Sequence, residues 1–147
     1  MRGRIARLSA CLAKFVVLGG LLDVRPVMAS PVGLWRAPDG AIIRVAPCGP
    51  SLCAFIAKPA HAIDPDTGRP PTDKHNHDPA KRNRPLEGVQ VLSDMHIAAR
   101  GKWSGSLYND DDGNTYNGNL IELDAERIRI EGCVLGICGG DTLTRVR

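Results

Sequence analysis

The chain has 147 residues and a formal net charge of +3, with 43% hydrophobic side chains but only 4% aromatic ones. Five of its 19 Lys and Arg, against one of its 16 Asp and Glu, lie in the first 29 residues, so residues 30–147 carry a net charge of −1. The basic balance belongs to the N-terminal segment and makes no case for a nucleic-acid or anionic-membrane partner.

That segment has the layout of an export signal. Arg2, Arg4, Arg7 and Lys14 make a basic start, Phe15 to Leu22 is apolar, and Val27-Met28-Ala29 offers small residues at a cleavage position after Ala29. The apolar run is about half of the roughly 20 residues that a spanning helix needs, and Asp23 and Arg25 follow it, so no stable membrane anchor is expected once the signal is removed. Leu8-Ser9-Ala10-Cys11 resembles a lipoprotein cleavage box, but no apolar stretch precedes it. The expected location is periplasmic or secreted. Residues 30–147 have the size of one domain, which buries roughly two thirds of its unfolded surface.

Short apolar alternations separated by turn residues follow, and no stretch keeps a 3.6-residue period over ten positions. Leu34 to Ala37 and Ala41 to Cys48 flank Pro38-Asp39-Gly40, where Pro presets one turn dihedral and Gly accepts positive φ. Leu52 to Lys58 comes next, after Gly49-Pro50. Beyond a long irregular segment lie Val89 to Ser93, Lys102 to Asn109, Thr115 to Leu123, Ile128 to Cys133 and Asp141 to Val146. About eight strands in sequential pairing lose their edges by closing on themselves. The predicted fold class is therefore all-β, a small antiparallel up-and-down barrel with one long loop. The aromatics of residues 30–147 are Trp35, Phe55, Trp103, Tyr108 and Tyr116, a sparse set that predicts a narrow interior filled by side chains.

Removal of the signal leaves four cysteines in two equal spacings, Cys48-x4-Cys53 and Cys133-x4-Cys138. Opposed residues of an antiparallel hairpin have Cα atoms about 4.5 to 5.5 Å apart, within disulfide range, so local pairs are geometrically favoured. Pairing one motif with the other closes a longer loop, worth about 5 kcal/mol rather than about 2 by chain entropy. A four-thiolate zinc site is the competing chemistry, but exported thiols oxidise before they meet much free zinc. No metal and no cofactor is expected.

The segment from Pro59 to Pro85 holds six of the 11 prolines and three of the four histidines, and has no strand pattern. Loops of this length are functional or disordered. His75 and His77, two apart on an extended segment, point the same way, though such a pair in a polar loop is more often solvated. Asp110-Asp111-Asp112-Gly113 reads as a hairpin turn rather than as a catalytic carboxylate cluster. No nucleophile elbow or glycine-rich phosphate cradle is present.

Gly33-x-Trp35, Asp39-Gly40, Cys48-Gly49, Leu52-Cys53, the block Thr72-Asp73-x-x-Asn76-x-Asp78-Pro79-x-x-Arg82-x-Arg84-Pro85-Leu86-x-Gly88, Trp103-x-Gly105, Tyr108, Gly113-x-Thr115-Tyr116, Gly132-Cys133, Leu135, Cys138-Gly139 and Thr144-Arg145-Val146 closely resemble the bacterial exported family DUF2147. The resemblance spans residues 30–147 and implies a small exported barrel-like domain with no established activity. His77 and Leu143 depart from it, since the family pattern has Pro and Trp there. Gly33-x-Trp35 with Arg145 on the last strand is similar to the lipocalin arrangement, in which an arginine covers a buried tryptophan at the closed end. A guanidinium over an indole contributes about 0.5 to 2 kcal/mol.

Three functions compete. The first is a barrel that binds a small-molecule ligand in a mouth gated by the long loop. The second is a hydrolase-like enzyme that uses Asp73, Asn76, Asp78, Arg82 and Arg84, the arginines holding an anionic group. The same residues have a structural alternative, tying the loop to the barrel wall. The third is a rigid surface that meets an envelope protein. A lined cavity of several hundred Å³ favours the first reading.

Overall fold

The computed structural model describes residues 30–147; the expected export signal, the expected cleavage after Ala29 and Cys11 lie outside the described residues. Eight strands form: β1 (Gly33–Arg36), β2 (Ile42–Cys48), β3 (Ser51–Lys58), β4 (Gln90–Ala99), β5 (Lys102–Asn109), β6 (Asn114–Glu122), β7 (Arg127–Val134) and β8 (Ile137–Arg145). Each pairs antiparallel with the next and β8 returns to β1, so the sheet is a closed up-and-down barrel, as the turn spacing predicts. A single 3-10 turn, Pro79–Lys81, interrupts the long β3–β4 loop. Among the described residues no helix is long and apolar enough to cross a membrane.

Two strands run further than their apolar alternation. β4 continues to Ala99 because Asp94 adopts φ 53° and its register with β5 slips between Ser93 and His96, a bulge that breaks the period of two. β8 begins at Ile137, not Asp141. Leu135 and Gly136, at φ 51° and 82°, make a two-residue hairpin turn that needs positive φ at both positions. Leu-Gly does not advertise such a turn as Asn-Gly does.

Chain direction places the β2–β3, β4–β5 and β6–β7 turns at one end of the barrel. The β1–β2 turn, the long loop and the β5–β6 and β7–β8 turns lie at the other. Inward positions supply the core: Trp35, Val45, Ala54, Leu92, Met95, Leu120, Ile128 and Leu143 are all buried. Each large apolar side chain sheltered there contributes about 1.5 to 3 kcal/mol.

The closed end is tied by one cation. The Arg145 guanidinium carbon lies 4.1 Å from the Trp35 ring centroid. Its nitrogens donate to the carbonyls of Ala125 (2.7 Å), Ser30 (2.9 Å) and Val32 (3.2 Å), joining the β6–β7 turn to the chain before β1. Trp35 Nε1 donates to the Pro31 carbonyl at 2.8 Å. Gly33 is required in this knot: its φ is 146°, and a Cβ there would stand 2.8 Å from Arg145 Nη1.

Both disulfides are local, Cys48 with Cys53 and Cys133 with Cys138. Cys133 and Cys138 are register partners, with Cα atoms 4.1 Å apart. Cys48 instead faces Ser51 and Cys53 faces Ala46, so the first bond runs diagonally across its hairpin at a Cα separation of 5.7 Å. The difference arises because the β2–β3 connection contains only Gly49 and Pro50, which places its turn one residue earlier within the same spacing. One staple sits at each end of the barrel. Glu131 lies beside Cys133 and Cys138, but sulfurs bonded to each other are not thiolate ligands.

Near the knot, Glu122 opposes Ile128, and its Oε2 is buried without a hydrogen-bond partner. Burial raises its pKa, and the charge of Arg145 only partly opposes this. A carboxyl whose folded pKa is raised stabilises the fold at low pH and loses that contribution as pH rises through the folded value. Glu122→Gln is therefore expected to stabilise the protein by about 1 kcal/mol at pH 7, with the gain fading as pH falls through the raised folded value and absent below about pH 4. Arg145→Ala is expected to cost about 2 kcal/mol through the lost ring contact and carbonyl bonds. Urea unfolding followed by tryptophan fluorescence reads both; an unchanged Arg145→Ala midpoint would remove the knot from the account of stability.

Candidate functional site

The long loop is organised around one buried carboxylate. Asp73, at 0% exposure, accepts at Oδ1 from the Tyr108 hydroxyl (2.6 Å) and at Oδ2 from Asn76 Nδ2 (2.8 Å) and from Arg84 Nε (2.9 Å) and Nη2 (2.7 Å). Burial drives the Asp73 pKa up, but the three donors and the Arg84 charge outweigh it and the net shift is downward. Burial, together with the hydrogen bond and charge of Asp73, pushes Tyr108 up to about 12. Tyr108 stands on β5, so this cluster fastens the loop to the barrel wall.

Asp78 and Arg82 do not join it. Asp78 caps the 3-10 turn, accepting from Ala80 N at 3.0 Å, with Lys81 Nζ 3.7 Å away. Arg82 Nε donates to the Asn76 carbonyl at 2.7 Å. The histidines diverge to separate partners on the β5–β6 hairpin, His75 Nδ1 lying 3.2 Å from the Asp110 carbonyl and His77 Nε2 3.0 Å from Asn114 Oδ1. Gly113 allows that approach, because a Cβ there would collide with the His75 carbonyl. Trp35 and Arg145 occupy the opposite, closed end.

Above the core, at the loop end, the barrel opens into a cavity of about 640 Å³. Its floor and walls include Ile43, Ile56, Val91, Leu107, Ile130 and Leu143. A lined cavity of this size is what the first of the three functional readings calls for. Four glycines lie side by side across four strands, since Gly105 pairs with Gly118, Gly118 with Gly132 and Gly132 with Gly139. They share the inward parity of Leu107, Leu120, Ile130 and Leu143, but a Cβ at Gly105 would collide with the Ser93 and Asp94 backbone and one at Gly118 with Leu107, so within the row it is Gly132 and Gly139 that line the cavity. A Cβ at Gly139 would meet nothing within 4 Å. Leu143, where the family pattern has Trp, leaves the floor lower still.

The rim is polar. Asp39, Asp110, Asp111 and Asp141 line it, as do Asp64 and Asp66, which hold Lys74 Nζ at 2.9 and 3.2 Å. Burial, with the charges of Asp111, Asp73 and Asp39, raises the Asp110 pKa. None of Asp73, Asn76, Asp78, Arg82 and Arg84 lines the cavity; Tyr108 is the one member of the loop cluster that reaches it. The rim aspartates and the glycine row escape sequence reasoning because each is a turn or strand residue by itself. Only the register aligns them, although glycine inside a strand does signal close approach or missing packing.

The family model described as an uncharacterized protein conserved in bacteria (DUF2147) matches residues 33–145, and the chain belongs to that family. No curated protein matches it. Among solved structures it is similar to protein HP1028 from Helicobacter pylori, described as belonging to the lipocalin family. That likeness has a TM-score of 0.68 at 20% identity over 82% of this chain and 85% of that one. It shows a shared fold.

Asp73→Ala leaves Tyr108, Asn76 and Arg84 without their acceptor and is expected to cost about 3 kcal/mol, whereas Asp78→Ala, at an exposed cap, costs about 1 or less. A carboxyl with a lowered folded pKa stabilises above its unfolded value, near 4, and the benefit is lost as pH falls through the folded value. The gap between wild type and Asp73→Ala in urea should therefore close between pH 5 and pH 2. A gap that persists at pH 2 would show that the charge of Asp73 is not its source.

Proposed function

We propose that this protein carries a small, partly apolar molecule in the open end of its barrel, outside the bacterial cytoplasm. The observation that carries the reading is the cavity itself. Eight-stranded barrels have interiors just wide enough to be filled or to hold one small ligand, and in this one the bare backbone of Gly132 and Gly139 forms part of the cavity wall. At about 640 Å³ it falls in the size range of ligand sites, with an apolar floor and a polar rim. The export-signal layout of residues 1–29 and two disulfides support a periplasmic or secreted location. The long loop, held by Asp73, forms part of the mouth.

A hydrolase reading has less support. Both oxygens of Asp73 are engaged by donors, and Asp78 and Arg82 lie apart from it without converging on a cleft. A second reading, an envelope protein as partner, has one observation in its favour. The tip of the β7–β8 hairpin beside the mouth exposes Leu135 at 99% and Ile137 at 80%, with Val134 next to them, on a disulfide-stapled frame.

Gly139→Leu tests carriage, because it places a side chain in open cavity space without a backbone clash. It is expected to leave the melting temperature within a few degrees of wild type and to abolish copurification of a small molecule in native mass spectrometry of periplasmic protein. Equal ligand occupancy in wild type and variant would overturn the reading.

A further inference from the structure

Given that the cavity carries a ligand, we propose that this ligand is an amphipathic organic cation, an amine or quaternary ammonium whose apolar part lies on the cavity floor and whose charge sits among the rim aspartates. The inference rests on the carriage reading and adds the sign of the ligand.

The lining holds six aspartates against a single lysine. Lys74 is already committed to Asp64 and Asp66, and these two carboxylates leave it no positive field to offer a ligand. Asp39, Asp110, Asp111 and Asp141 form no salt bridge among the described residues. Arg82 and Arg84, which the sequence offers as anion holders, are turned into the loop and line no part of the cavity. An anionic head would therefore meet like charges on several sides, with His61 the one basic side chain of the lining not held by a carboxylate.

The four unpaired carboxylates come from different elements: Asp39 from the β1–β2 turn, Asp110 and Asp111 from the β5–β6 turn, and Asp141 from β8. They surround the mouth rather than cluster on one loop. Asp141 opposes Ile130 and shares the inward parity of Leu143, which puts a carboxylate on the same wall as the apolar floor. Low-dielectric walls concentrate such a field at the opening of a cleft. Burial, and after it the nearby charges of Asp111, Asp73 and Asp39, raises the pKa of Asp110, and a ligand cation beside it would oppose both. A bare metal ion would use the carboxylates but not the floor beneath them, so the pairing of the two selects a molecule that is charged at one end and apolar at the other.

The test uses the protein without its signal and a neutral fluorescent probe, N-phenyl-1-naphthylamine, displaced by three molecules of equal chain length below their micelle concentrations. These are dodecyltrimethylammonium, dodecanol and dodecanoate. The cation is expected to bind at least about tenfold more tightly than the carboxylate at low salt, with the advantage shrinking as screening rises. Asp110→Asn with Asp141→Asn should narrow that gap severalfold and leave dodecanol unchanged, and near-wild-type melting of the variant confirms that it is folded. Dodecanoate binding as tightly as the cation, or a gap that the double variant does not alter, overturns the charge assignment while dodecanol binding keeps carriage intact. Failure of the probe and of all three chains overturns carriage, and this proposal with it. Calcium alone displacing the probe as effectively as the cation would also overturn it, in favour of an inorganic ion site.

Discussion

The barrel depends on its closure, and closure is narrow. β1 is only four residues long and meets β8 through two register pairs, Trp35 with Arg145 and Arg36 with Thr144. So short a ladder leaves little backbone pairing to hold the seam, and an open sheet of eight strands would expose two edges. Arg145 supplies what the ladder lacks. Its guanidinium covers the Trp35 indole and joins three carbonyls from segments that would otherwise end freely at the closed end. Because the core side chains of all eight strands face one interior, holding this seam holds the packing of the rest.

The open end is fastened by different means. There the long β3–β4 loop cannot pair as a strand, and its anchor is the buried Asp73 carboxylate shared among Tyr108, Asn76 and Arg84. A buried charge is tolerable only when its lone pairs are matched, and every donor here comes either from the loop itself or from β5. The consequence is a rigid collar. Asp73, Asn76 and Arg84 hold one another there, and the rim of the mouth carries Asp39, Asp110, Asp111 and Asp141 beside the Asp64, Asp66 and Lys74 cluster.

The strand count, the barrel, the first hairpin and the Trp35 to Arg145 relation were legible in the sequence, because alternation, turn residues and the Gly-x-Trp spacing each act locally or recur in a known pattern. The far half of β4 was not legible, since the Asp94 bulge breaks the alternation that would announce it. The start of β8 was hidden by a Leu-Gly turn. Asp73, Asn76 and Arg84 stand out as a group in the sequence and do meet in space. Their outcome as a collar depends on Tyr108, which lies 35 residues from Asp73 and has no sequence mark tying it to the loop. A ligand-binding mouth stood among the readings the sequence offered, but the wall of the cavity was not legible: a single glycine in a strand predicts a local weakness, and only register sets Gly132 beside Gly139.

That row carries its own cost, and the staples answer it. Glycine in a strand gives up cross-strand packing and gains chain entropy when unfolded, a loss of about 0.5 to 1 kcal/mol each relative to alanine. In the β7–β8 hairpin Gly132 and Gly139 carry this cost, whereas Gly136 supplies a positive φ and Gly140 a close approach to the Ile130 carbonyl that no side chain permits. It is also the hairpin whose cysteines are direct register partners. A short disulfide loop restricts the unfolded chain by about 2 kcal/mol, comparable to what these glycines give away. The Cys133–Cys138 bond therefore offsets the cost of leaving Gly132 and Gly139 without side chains on the wall that borders the cavity.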